Sequence, residues 1–223
     1  MSQTFINGAK YAFSTLLGPK VPITAITNDA PAIAAAATLP ADGSIVLLES
    51  NWTDLNELAV YADEAAAGQF TMAGLDTTDV GLFPEDEELP AAYRAVSGFV
   101  SLSQIRGIEQ SGGDTNNFTW GYIDSASPRQ MSRPTDQNPL ILTFTLDYDP
   151  DMAWDAALEA VSKARQIVVM RERLPTGDVL LYTGYLSYQK SPSRVRNENM
   201  TVTAVMSVNS EVLRYPAEFF AGS

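Results

Sequence analysis

The sequence predicts a mainly β (α+β) fold: an antiparallel β-sandwich or barrel flanked by one α-helix, with a small all-β insertion. Three observations predict it. Between Leu140 and Val208, apolar residues recur with period 2 in several separate runs, the spacing of half-buried strands. One stretch alone, from Met152 to Ala164, carries a helical stripe. Between Ile23 and Asp79, five short apolar runs are separated by turn residues, the rhythm of a small barrel or sandwich.

The elements follow in order. Asn7 to Ser14 reads as a first strand, ended by Gly18-Pro19. The insertion reads as Ile23–Thr27, Ile33–Thr38, Ser44–Leu48, Leu58–Tyr61 and Gln69–Met72, divided by Asn28-Asp29, Ala41-Asp42-Gly43 and Ala67-Gly68. It contains no Lys or Arg between Lys20 and Arg94. Glu85, Asp86, Glu87 and Glu88 between two prolines read as a solvated linker. Phe99 to Glu109 is the next strand, and Gln110 to Pro139 is a long polar reach around a hairpin-like FTWGYI. Loops of that length are usually functional, so a reaching loop or mobile β arm is expected.

In the last third, Leu140, Leu142, Phe144 and Leu146 alternate with polar residues. Asp149 is a good N-cap and Pro150 suits the first helical position. Trp154, Leu158 and Val161 form the helical stripe, and Lys163 and Arg165 sit at its C-terminal end. Gln166–Leu174 and Val179–Gln189 flank a turn at Pro175-Thr176-Gly177-Asp178. Met200, Val202, Ala204, Met206 and Val208 form the clearest alternation in the chain. A single helix covers one face of such a sheet; the other must meet a second sheet, another subunit or water.

Domain boundaries follow: 1–22 with 91–223 as the main domain, 23–90 as the insertion, and 110–139 as the long loop. The chain has 223 residues and is 45% hydrophobic, enough for a substantial core. It has no Cys and no His. That removes thiol nucleophiles, His bases, disulfides and nearly every zinc or iron site. No catalytic residue, cofactor or metal is expected. Asp147, Asp149 and Asp151 have calcium-loop spacing, but Met152 and Leu158 stand where an EF-hand needs Gly and Glu. No carboxylate pair is marked out for glycoside hydrolysis, and no phosphate-binding glycine motif is present. Ala30–Leu39 is uncharged but too short to span a membrane. The net charge of −13 argues against a nucleic-acid-binding surface.

Two resemblances carry the functional reading. ITAITNDAPAI, LPADGSIVLL, LNELAVY and QFTMAGLDTT resemble a small β domain recurring in phage structural proteins. That domain is usually described by its likeness to a half-domain of ubiquitin-activating enzymes. The His common near its first loop is absent here. LPTGDVLLYTGYLSYQKSP, with Gly184 at its centre, and VRNENMTVTAVMSVNSEV are similar to the hairpin and final strand of tail tube (major tail) proteins of long non-contractile-tailed bacteriophages.

The second resemblance implies a structural subunit of the virion tail, assembled in the bacterial host cytoplasm. Homohexameric rings would stack into a hollow, acidic-lined tube for DNA ejection, with the helix outside the channel barrel. Partners would be further copies of the chain, tail tip or baseplate and terminator proteins, and a tape-measure protein in the lumen. DNA would be present only in transit, without sequence-specific binding, and no membrane is involved. The long loop would order against the neighbouring ring, which singles out Gly112, Asp114, Trp120, Tyr122, Arg129 and Arg133. Lys190, Arg194 and Arg196 are basic candidates for contacts between subunits. The alternatives are a β-sandwich module binding a receptor or glycan, with Trp120 and Tyr122 as a stacking platform, and another tail ring such as a terminator or connector.

Overall fold

The computed structural model describes residues 7–84, 91–123 and 130–220. The linker run at 85–88 and the candidate Arg129 lie outside them. In chain order the strands are β1 (Lys10–Ile26), β2 (Ala32–Ala36), β3 (Ile45–Ser50), β4 (Ala59–Ala66), β5 (Gln69–Ala73), β6 (Ala91–Leu102), β7 (Ile105–Ser111), β8 (Thr115–Trp120), β9 (Met131–Gln137) and β10 (Leu140–Asp147). Helix α1 (Ala153–Ala164) follows, then β11 (Ile167–Arg173), β12 (Val179–Gln189), β13 (Thr201–Val208), β14 (Leu213–Tyr215) and a 3-10 turn at Ala217–Phe220. The expected class, antiparallel β with one flanking helix, is what the structure shows.

The main sheet runs β6-β1-β11-β12-β13-β10-β7, with every pairing antiparallel. It is folded over. Tyr11 of β1 and Phe144 of β10 stand four places apart in strand order, roughly 19 Å in a flat sheet. Their ring centroids are 5.6 Å apart. The flank β6-β1-β11-β12 therefore faces the flank β13-β10-β7 across one core. Phe13, Met170, Leu186, Phe144, Leu146 and Met206 fill it. Helix α1 adds Trp154, Leu158 and Val161 to the same core. This is the stripe read from the sequence.

The insertion closes a barrel of its own. β2 to β5 pair in sequence β2-β5-β4-β3, β3 pairs the start of β6, and β2 pairs the end of β1. Since β6 also pairs β1 over Val21–Ile23, six strands meet in a ring. Phe70, Met72, Val46, Val60, Leu55 and Leu58 fill its interior.

Several expectations are corrected. Gly18-Pro19 does not end β1; the strand continues to Ile26 and absorbs the break as a register shift between Leu17 and Lys20. A bulge accommodates a proline that could not sit in a regular ladder. Phe99–Glu109 is two strands, since the chain turns a corner at Ser103-Gln104, with Gln104 at φ 59°. That corner carries it from one flank of the sandwich to the other. Helix α1 starts at Ala153, with Met152 as an uncapped N-cap. Asp149 is instead used in a turn, accepting Asp151 N–H and the Gln104 amide, each at 3.2 Å. FTWGYI is not a hairpin: β8 ends at Trp120, and its partner is β9.

The question of the sheet's second face has a divided answer. On the flank β6-β1-β11-β12, the outward residues Val169, Val179 and Leu181 pack against Ile45, Leu47 and Tyr61 of the barrel. On the opposite flank the outward face is open. The C-terminal segment secures the covered side. Tyr215 Oη donates to Ala73 O at 2.9 Å and accepts Tyr61 N–H at 3.2 Å, and the two rings meet edge to face.

Candidate assembly interface

The 110–139 stretch is a two-stranded ribbon, β8 with β9, and neither strand joins the main sheet. Pairing of Trp120 with Met131 and of Phe118 with Arg133 puts these four residues on one face, because directly opposed residues share a side. The Phe118 and Trp120 rings stack at 5.8 Å and 18°. Phe118 is 61% exposed, Tyr122 62% and Met131 44%. An isolated hairpin is marginally stable in water, and a rimmed apolar patch of this kind marks a contact surface.

Gly112 and Asp114 lie at the ribbon's base. Gly112 has φ +77°, and a Cβ there would stand 2.0 Å from Pro139 O. Only glycine lets the two legs of the arm close against each other there. Gly113 N–H donates to Asn138 O at 3.0 Å, and Asn138 N–H donates to Asp114 O at 2.9 Å. Trp120 ends β8, Tyr122 follows it, and Arg133 lies in β9. The ribbon thus gathers Gly112, Asp114, Trp120, Tyr122 and Arg133. Sequence reasoning missed Phe118 and Met131. Phe118 was legible two residues before Trp120; Met131 becomes a member only through the cross-strand register.

The basic candidates behave differently. Lys190 Nζ donates to Glu159 Oε2 at 2.7 Å, while Lys163 takes Oε1 at 2.7 Å. These two bonds hold the Glu159 carboxyl at about 2, and Glu159 in turn raises Lys190. Lys190 therefore fastens the end of β12 to α1. Arg194 and Arg196 are exposed in the loop between β12 and β13, and no ion pair to either occurs among the described contacts.

A second surface is the edge strand β7. It pairs β10 on one side and ends the sheet on the other. Its backbone groups there are a template for another strand. Next to it lies the open flank. Thr143 and Thr145 of β10, Thr203, Val205 and Ser207 of β13 and Ser187 of β12 occupy adjacent register positions and are half-buried or exposed. On this face the hydroxyls stand beside two carboxylates, Glu109 opposite Thr143 and Asp147 opposite Thr201.

Three carboxylates deserve a chemical reading. Glu172 is buried between β1 and β12 and accepts the hydroxyls of Tyr11 and Tyr182, the latter at 2.6 Å. Burial pushes both phenols up, and the adjacent carboxylate adds to it. Asp155 accepts the Tyr188 hydroxyl from the first turn of α1. Asp147 pairs with Arg106. Glu172 and Asp147 hold strands together, and Asp155 holds α1 to β12. No group of three or more His, Cys, Asp or Glu is placed to hold a metal among the described residues. No described helix is long and apolar enough to cross a membrane.

A folded-over β wall with an edge strand and an exposed aromatic arm is the architecture of a scaffold protein. The family model described as Phage tail tube protein, TTP matches residues 50–217, and the chain belongs to that family. It is a structural component of a phage tail. No curated protein matches the chain.

Proposed function

We propose that this chain is the repeating wall subunit of the tail tube, closed into homohexameric rings and stacked ring on ring. Within a ring, the free edge of β7 pairs with a strand of the next subunit. Head-to-tail pairing of one edge with a different surface closes into a ring when the rotation permits. Between rings, the β8–β9 ribbon reaches a neighbour and buries Phe118, Trp120 and Met131 there. The open face carrying Thr143, Thr145 and Thr203 lines the channel. Glu109 and Asp147 share this face with the threonines, and Arg106 is already paired with Asp147, so DNA meets little it can ion-pair with and passes without adhering. The tape-measure protein occupies this lumen before DNA, and tail-tip and terminator proteins meet the two ends of the tube.

The ribbon is the observation that carries this reading. It is a paired element with an exposed aromatic face that joins no other sheet among the described residues. Deleting Gly112–Asp136 is expected to leave a folded, soluble subunit that no longer forms tubes, as seen by circular dichroism and negative-stain microscopy. Tubes of normal appearance from that deletion would refute the arm's role. A stubborn monomer of the full chain that binds glycans would favour a receptor-binding module.

A further inference from the structure

Resting on the tube reading, we propose that the 23–90 barrel stands on the outside of the tube as a polyanionic coat, holding tubes apart from one another and from other polyanions. Two independent observations carry this. The first is where the charge lies. Residues 23–90 hold 13 of the chain's 27 Asp and Glu and none of its 14 Lys and Arg. The remainder has 14 of each and is formally neutral. The whole net charge of −13 therefore belongs to the insertion. Asp29, Asp42, Asp54, Glu64, Asp76 and Asp79 are all exposed.

The second observation is position. The barrel is packed on the outward side of β11 and β12. The hydroxyl face belongs to β10 and β13, across the core. The flanks pack face to face, as the contact between Tyr11 and Phe144 requires. Their outward sides consequently point in opposite directions. A ring with Thr143, Thr145 and Thr203 toward its channel directs the barrel away from it.

Electrostatics gives this arrangement its use. In the channel, the barrels of a six-membered ring would place 6 × −13 = −78 charges in the path of DNA. Between subunits they would repel at contact, within a Debye length of about 8 Å at physiological salt. On the exterior they stand away from the ring contacts, so their repulsion of one another is weakened and they face what approaches from outside. Neighbouring tubes, free nucleic acid and anionic lipid surfaces are all repelled there, while the neutral wall is left to make the ring contacts.

The absence of cysteine makes the test clean. Ala66→Cys places a thiol on the exposed end of β4, and Ser187→Cys places one on the open face. Each variant is treated with a maleimide-polyethylene glycol too bulky to enter the channel, both as subunit and after assembly. Ala66→Cys is expected to label as completely in tubes as in subunits, and Ser187→Cys to lose its labelling on assembly. Protection of Ala66→Cys in tubes that still form overturns the outward barrel and leaves the tube reading standing. Failure of the unmodified chain to form tubes, even with tail-tip complex present, removes the tube reading and this proposal with it. A second variant tests the coat: Asp29→Asn, Asp63→Asn, Asp76→Asn and Asp79→Asn together with Glu64→Gln. At low salt its tubes are expected to bundle side by side where unmodified tubes stay single; tubes that stay single overturn the coat.

Discussion

Gly184 marks a close approach of β12 to β13. A Cβ built there would lie 1.9 Å from Ser207 O, a backbone atom that cannot move aside without opening the ladder. Gly184→Ala is expected to cost ~3 kcal/mol or more through forced strand separation, read as a lowered urea midpoint. A variant as stable as the parent would show that β13 gives way freely. Tyr215 makes a comparable point through its hydroxyl. Burial pushes its phenol above the ordinary value, so it remains a donor at any working pH. Tyr215→Phe strands Tyr61 N–H and Ala73 O, and about 1–3 kcal/mol of stability should go with it. Proteolysis should reach the barrel first, because that contact ties barrel to sandwich. Gly184 is visible in the sequence as a glycine inside a strand, yet its reason is a neighbour 23 positions away. Nothing local marks Tyr215.

Helix α1 shows how much an element owes to its pattern and how much to its neighbours. Trp154, Leu158 and Val161 read correctly as its buried stripe because helical periodicity is local. Its start was misplaced because Asp149 had a competing use, bonding Gln104 from the β6–β7 corner. At its far end, Glu159 joins Lys163 to Lys190. The folded-state carboxyl is held at about 2 against an ordinary 4.5. A depressed carboxyl contributes stability that is present above its unfolded value and lost as pH falls through the folded one. The tie from α1 to the end of β12 is therefore complete above pH 4.5 and dissolves toward pH 2. Carbon-detected NMR titration of Glu159 should give a midpoint near 2; an ordinary midpoint would mean that neither lysine engages it in solution. The ribbon was legible as a long polar segment carrying aromatics. Its pairing was not, since ten positions separate β8 from β9 in the sequence and no short turn motif links them.

At the scale of the whole molecule, charge and architecture separate. The wall is neutral in sum and the barrel is not, so repulsion during assembly comes from barrels on adjacent subunits. Raising salt from low to physiological levels should shorten the lag of tube formation, measured by light scattering, because screening reaches within about 8 Å at physiological salt. Assembly that slows steeply with salt would instead mean that attraction through residues such as Arg194 and Arg196 dominates.

The amino-acid sequence by itself determined the β class, the single helix and its buried stripe, the PTGD turn, and the exclusion of thiol and imidazole chemistry. It also carried the family resemblance in its last third. All of these reside in composition or in spacings of a few residues, where backbone geometry and side-chain polarity act directly. Only the tertiary structure decided that one sheet folds over to face itself, that the insertion closes on β1 and β6, and that the barrel covers one flank while the other stays open. Those outcomes depend on pairings between strands tens to hundreds of residues apart, such as β1 with β11 and β6 with β3. The alternation along a strand gives it two faces, and only its packed neighbours settle which of them is left for assembly.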